Sequence, residues 1–167
     1  MDTASDTEFG DFMSARWPGL VRLGYGLTGD RQAAEDLAQT ALARAYAAWP
    51  RVRRADDPDA YVRRILLNVN RSRLRPRRFT EQLTADPPDH GTPDPAGARD
   101  DRSALMAAMA ALPAGQRAVV VLRYWLDLTE PQVAAALGCS VGNVKSQAAR
   151  GLAKLRLSPE LAEGERR

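Results

Sequence analysis

Across this chain the apolar residues recur three and four positions apart, and nowhere do they alternate in the every-second-residue pattern of a half-buried strand. That periodicity predicts an all-α fold. The periodic segments fall into two blocks. Between them lies FTEQLTADPPDHGTPDPAGARDDR, Phe79 to Arg102, with four prolines, two glycines and six acids in 24 residues. Such a stretch has too little apolar surface to offset the entropy of ordering, and the adjacent Pro87 and Pro88 favour extended backbone. The expected organisation is therefore two small helical domains joined by a flexible acidic linker, each folding separately. The first occupies 1–78, the linker 79–103 and the second domain 104–157, followed by a short charged tail at 158–167.

In the first block, Phe9, Phe12, Met13, Leu20, Leu23 and Leu27 predict a helix or helix pair bent near Pro18 and stopped at Thr28-Gly29. Asp30 is a fitting N-cap for a helix through Trp49, with Leu37, Ala38, Ala41, Leu42 and Ala45 on its apolar face and Pro50 stopping it. Asp59 is expected to cap a third helix, from Ala60 to about Arg75, which buries Val62, Ile65, Leu66 and Val69. In the second block Ser103 is expected to cap a helix ended by Pro113. Another runs from about Gly115 to Trp125, turning Ala118, Val121, Leu122 and Trp125 inward. Thr129 to Gln132 then fits a capping box, and Leu128 with Val133 fits a hydrophobic staple, so a short helix should span Glu130 to Leu137. Gly138 closes it, and Ser140 opens a last helix with Val144, Ala148, Leu152 and Leu155 on one side. These residues make a four-helix second domain with helix-turn-helix spacing.

Charge separates along the chain in the same way. Residues 1–78 carry 14 basic and 10 acidic side chains, 79–103 carry 2 and 6, and 104–167 carry 8 and 5. Two basic blocks around an acidic one suggest two modules that face nucleic acid. Only Lys145 and Lys154 of the 24 basic residues are lysine, so polyanion contact is mainly guanidinium contact. Other classes fall away. The longest apolar run, Ala104 to Leu112, has nine residues, against roughly 20 for a membrane span. The acidic start MDTASDTEFGD is unlike a secretory signal, and a cytoplasmic protein without a membrane partner is expected. One cysteine, Cys139, and one histidine, His90, leave no zinc set. No Gly-rich phosphate loop or nucleophile elbow occurs, so no catalytic residue, metal or cofactor is expected.

Two surfaces carry the nucleic-acid argument. On the last helix the outward residues are Asn143, Lys145, Ser146, Gln147, Ala149 and Arg150, and no carboxylate occurs from Ser140 to Leu157 to repel phosphate. A helix fits the major groove, where donors near its start meet base edges. On the third helix Tyr61, Arg64, Asn68, Arg71 and Arg75 are spaced 3, 4, 3 and 4 apart along one stripe, within a segment of seven arginines and no acid. Arginine tracks phosphate, tyrosine stacks on an unpaired base and asparagine pairs with a base edge, a combination suited to single-stranded or distorted DNA.

The segments LTGDRQAAEDLAQTALARAYAAW, DPDAYVRRILLNVNRSRLR and LTEPQVAAALGCSVGNVKSQAARGLAKLR resemble, in order and spacing, bacterial sigma factors of the extracytoplasmic-function group in the sigma-70 family, most of all its actinobacterial SigE-type members. The resemblance implies a non-enzymatic initiation factor whose first block is sigma domain 2 and whose second is sigma domain 4. It assigns Asp36, Leu37 and Gln39 to the surface that grips the β′ coiled coil. The loop from Arg51 to Asp59, with Tyr61, Arg64, Asn68, Arg71 and Arg75, is assigned to opening of the minus-ten element, Asn68 lying at the flipped-base pocket. Ser140, Asn143, Lys145, Ser146, Ala149 and Arg150 are assigned to the minus-thirty-five element, and the acidic linker to the RNA exit path. The implied partners are core RNA polymerase, through its β′ and β subunits, promoter DNA and a candidate anti-sigma factor. Two other readings start from the same residues. A dimeric helix-turn-helix regulator acting without polymerase needs a dimer helix, and no heptad seam is present. A metal-dependent nuclease would use Asp56, Asp57 and Asp59, which sit in a loop beside Pro58.

Overall fold

The computed structural model describes residues 3–75 and 97–164, and among them every element is helical. The linker residues 76–96 lie outside the described residues. The first half comprises α1 (Thr3–Thr28), α2 (Arg31–Ala47), the single turn α3 (Trp49–Val52) and α4 (Pro58–Leu74). The second comprises α5 (Gly97–Ala110), α6 (Ala114–Val120), a π-helical turn Val121–Trp125, α7 (Glu130–Leu137), α8 (Val141–Arg156) and α9 (Pro159–Gly164).

Local chemistry accounts for most boundaries. Asp30 caps α2 by accepting from the Ala33 amide at 2.7 Å. Helix α2 stops at Ala47, two residues before the expected end, because Pro50 lacks an amide and tolerates only a helix's first turn. Pro50 accordingly sits in the first turn of α3. Pro58 acts alike at the start of α4, and this moves the cap: Asp57, not Asp59, accepts from the Ala60 amide, at 2.9 Å. Asp59 instead lies inside the first turn, where its carboxylate accepts from Arg16 Nε on α1 at 2.6 Å. That bond holds the Arg16 guanidinium above its ordinary pKa. Helix α5 starts at Gly97, so Ser103 is an interior residue and not its cap. The tail, expected only to be short and charged, folds back as α9 against α5.

Helices α1, α2 and α4 enclose Leu23, Leu37, Ala38, Ala41, Leu42, Trp49, Val62 and Leu66, all buried. The buried residues of α4 are Val62, Leu66, Leu67 and Asn70, while Ile65 and Val69 are only partly covered. The apolar face is thus turned slightly from the expected one. In the second half Val119, Val121, Leu122, Val133 and Val144 form the interior. The two halves do not stand apart. One apolar cluster runs through both, with the π turn against α1 and α7 against α4. The arginine row of α4 nevertheless stays outside: Arg64, Arg71, Arg73 and Arg75 are all exposed.

The two aspartates can be told apart by stability. Asp57→Ala removes an N-cap and is expected to cost about 1 kcal/mol, whereas Asp59→Ala removes a half-exposed ion pair and should cost roughly 0.2–1 kcal/mol. Urea denaturation of the two variants measures the order, and a larger loss for Asp59→Ala would return the cap to that residue.

Candidate nucleic-acid interface

The helix-turn-helix is built from the signals in its own sequence. Thr129 Oγ1 accepts from the Gln132 amide at 3.3 Å while Gln132 Oε1 accepts from the Thr129 amide at 2.8 Å, a complete capping box. Gly138 ends α7 at φ +68°, a left-handed conformation that glycine adopts without Cβ strain. Ser140 then caps α8 by accepting from the Asn143 amide at 3.1 Å. Val144 and Ala148 face the core, and Ser140, Asn143, Lys145, Ser146, Ala149 and Arg150 are exposed together on the other side. Gln147 is half-buried. The acid-free reading of this face holds only within α8: Glu130 of α7 brings Oε2 to 3.7 Å from Lys145 Nζ. No spacing within α8 could reveal an acid supplied by the neighbouring helix.

The stripe on α4 is continuous. Tyr61 is half-buried and Arg64, Asn68, Arg71 and Arg75 are exposed. A cleft of about 560 Å³ runs beside it, lined by Tyr61, Arg63, Arg64 and Asn68 on one side and by Gln132, Ala135 and Ala136 of α7 on the other. Arg71 Nη2 donates to the Leu137 carbonyl at 3.0 Å. Sequence reasoning missed Arg63, which joins this lining. It also missed Asn70, 8% exposed, whose Oδ1 finds no partner.

On α2, Asp36 and Gln39 are exposed and Leu37 is only 3% exposed, so Leu37 anchors the helix and the outward chemistry falls to the other two. Gln32 Nε2 donates to Asp36 Oδ1 at 3.2 Å. Gln39 borders an apolar groove with Met13, Trp17, Leu42 and Tyr46. The Tyr46 hydroxyl donates to Asp6 at 2.9 Å, which raises its pKa above the ordinary tyrosine value.

One residue that carried no motif turns out to hold several segments. Arg117 donates to the carbonyls of Met109, Ala110 and Leu112 at 2.8 Å each, and to that of Leu27 at 3.1 Å. Partial burial and the charge of Arg73 lower its pKa, yet a guanidinium stays protonated. Asp56, Asp57 and Asp59 do not converge: one caps a helix and another pairs with arginine, and among the described residues no group of His, Cys, Asp or Glu is placed to hold a metal.

Two family models match the chain, sigma-70 region 2 over residues 14–80 and sigma-70 region 4 over residues 102–155. The RNA polymerase sigma-E factor of Streptomyces antibioticus is 42% identical over 149 residues, covering 89% of this chain and 83% of the relative. The chain belongs to the extracytoplasmic-function group of the sigma-70 family. The sigma-E factor of Streptomyces coelicolor is 40% identical over 153 residues, with 89% and 84% covered. Among solved structures, the sigma factor RpoE of Bartonella quintana, captured with the anti-sigma factor NepR, matches with a TM-score of 0.70 at 25% identity. The match covers 93% of this chain and 97% of that one. The chain is accordingly a polymerase-associated factor for promoter-specific initiation, and the dimeric regulator is not favoured. No helix among the described residues is long and apolar enough to cross a membrane.

Arg117 offers a check on the second half of this sigma factor. Arg117→Leu keeps the bulk and leaves several helix-end carbonyls without a donor; a loss of about 2–3 kcal/mol is expected, in line with hydrogen bonds from a charged group. Chemical denaturation reads it, and an unchanged midpoint would show the carbonyls to be as well served by water.

Proposed function

We propose that this sigma factor holds a promoter at two places. The exposed face of α8 reads the minus-thirty-five element as duplex, and the α4 stripe captures the minus-ten element as it opens. What carries the proposal is a pair of arginine-bearing, helix-borne faces, acid-free from Tyr61 to Arg75 and from Ser140 to Leu157, with Asp57 at the edge of the α4 cleft and Glu130 beside Lys145. On α8, Asn143, Lys145, Ser146, Ala149 and Arg150 lie outward around the start and middle of the helix, where a recognition helix meets base edges and phosphates. Ser140, spent on the cap, orients that start.

On α4 the task is harder. Unstacking a base costs a few kcal/mol, to be offset by stacking and hydrogen bonding in the place it enters. Tyr61 supplies the flat surface, Asn68 the amide, and Arg64, Arg71 and Arg75 the phosphate contacts. Core RNA polymerase is gripped through its β′ coiled coil by Asp36 and Gln39, with Leu37 setting their helix. Its β subunit and the RNA exit path take up the second domain and the acidic linker. Polymerase performs the bond-making chemistry, so the chain itself is not an enzyme and needs neither metal nor cofactor. It works in the cytoplasm, and an anti-sigma factor is a further partner; the Bartonella relative's capture with one supports that assignment.

The first test is a stable one-to-one complex with core polymerase that transcribes from a bound promoter; absence of a complex removes the proposal. Within it, Arg71→Glu should abolish permanganate-detected opening while leaving duplex binding in place. Lys145→Ala should weaken binding to the cognate promoter about ten-fold, a loss within the discrimination carried by one good base contact, and weaken scrambled DNA much less. Equal losses would make Lys145 a phosphate contact only.

A further inference from the structure

A negative charge from α7 stands at the recognition face of α8. Glu130 is the first residue of α7, and its Oε2 lies 3.7 Å from Lys145 Nζ. Both side chains rise from helices whose starts are fixed by caps: the box of Thr129 and Gln132 holds the first turn of α7, and Ser140 holds that of α8. The pair is open to water, the lysine side chain 63% and the glutamate 33% exposed, so it adds little to stability. Its place is what counts. In a helix-turn-helix the first helix crosses the phosphate backbone while the second enters the major groove. A carboxylate in the first turn of α7, beside a lysine of the recognition face, therefore stands where phosphates approach. The cation it faces is also an unusual one for this chain. Of the 24 basic residues only Lys145 and Lys154 are lysine. Arginine grips a carboxylate or a phosphate with two parallel bonds, whereas an ammonium is a point charge with three donors that rotate.

We infer that Glu130 is a specificity-determining residue: it holds Lys145 back from phosphate while leaving it able to donate to a guanine edge, so that the lysine adds to binding mainly where the right base is present. The inference rests on the minus-thirty-five role of the α8 face proposed above. Guanine presents N7 and O6 in the major groove, both neutral acceptors, and the ammonium can donate to them while one of its N–H bonds stays on Glu130. A phosphate instead brings a second anion to the same cation and meets the repulsion of the carboxylate. Two unit charges about 4 Å apart in water are worth a factor of about five, enough to offset much of one phosphate contact on DNA of any sequence. Discrimination is a difference between two affinities, and lowering the wrong one raises it as surely as improving the right one.

The test uses the sigma factor bound to core polymerase and two labelled promoter fragments. One carries the upstream element that this holoenzyme selects from random sequence, the other has that element scrambled, and the minus-ten element is the same in both. Glu130→Gln keeps the shape of the side chain and leaves the capping box intact. It should tighten binding to the scrambled fragment about five-fold, steepen the salt dependence of that binding by about one released counterion, and leave the selected fragment nearly unchanged. In a Lys145→Ala background the same substitution should alter neither affinity. Equal tightening on both fragments overturns the specificity role and leaves a general repulsive charge. A gain that persists without Lys145 overturns the pairing. Affinity for the scrambled fragment that does not rise overturns the inference and leaves Glu130 as a helix-start residue, its carboxylate serving only the positive end of α7. Should Lys145→Ala by itself leave both fragments unaffected, the DNA role of the α8 face has failed, and this inference fails with it.

Discussion

Helix α4 packs on α1 and α2 along its apolar side and meets α7 along another, and the geometry of its arginines follows from that. Val62, Leu66 and Leu67 are buried, at a gain of ~1.5–3 kcal/mol for each side chain fully buried. The opposite side offers no compensating ion pairs of its own. Arg64, Arg71 and Arg75 have no acids three or four positions away, and Arg71 and Arg75 are an i,i+4 like-charge pair, which weakens an isolated helix by a few tenths of a kcal/mol. Burial on one side therefore holds in register a row that would not order itself. The helix ends contribute in the same sense: Asp57 and Asp59 stand at the positive end, and Arg71 and Arg73 in the last turn. Arg16, reaching from α1 to Asp59, fixes the start of the row against the scaffold.

The legible parts of the fold were those determined by neighbours in the chain. The capping box at Thr129, the left-handed Gly138 and the Ser140 cap are events within four residues, and the helix between Glu130 and Leu137 follows from them to the residue. The Asp30 cap was legible for the same reason. Boundaries failed where two residues competed for one role. Asp57 and Asp59 are both good caps, and Pro58 between them decides, since a proline at the first helical position makes the preceding residue the cap. Ser103 looked like a start because it precedes an apolar run, yet a helix already under way absorbs a serine at small cost.

The site divides along the same line. Most of the outward residues of α4 and α8 could be read from spacing, because one helix determines it; Gln147, read as outward, is half-buried, and the buried face of α4 is turned toward Leu67 and Asn70. What those faces meet could not. The acid beside Lys145 comes from α7, and the wall opposite Tyr61 and Asn68 comes from the other half of the chain. Leu37 shows the converse: inclusion in a motif carried it onto a partner surface, while its side chain is committed to the core. Gly26 was invisible for a different reason, since its contribution is the absence of a side chain at a point where another helix comes close.

Among the described residues, two bodies of like charge touch here without either giving up an acid to the other. The arginine hydrogen bonds that cross between them go to main-chain carbonyls, and both carbonyls lie at helix C-termini, Leu27 at the end of α1 and Leu137 at the end of α7. The last carbonyls of a helix lack intrahelical partners and carry the negative end of its dipole, so they accept from a guanidinium much as a weak anion does. A carboxylate in the same place would bind arginine more strongly and would also stand beside the phosphates of any bound DNA. Helix ends give an attraction that stops short of that, one that orients Arg71 and Arg117 without placing a formal negative charge beside them. Helix α4 meets one such acceptor, the Leu137 carbonyl, at the end of the helix-turn-helix it lies against.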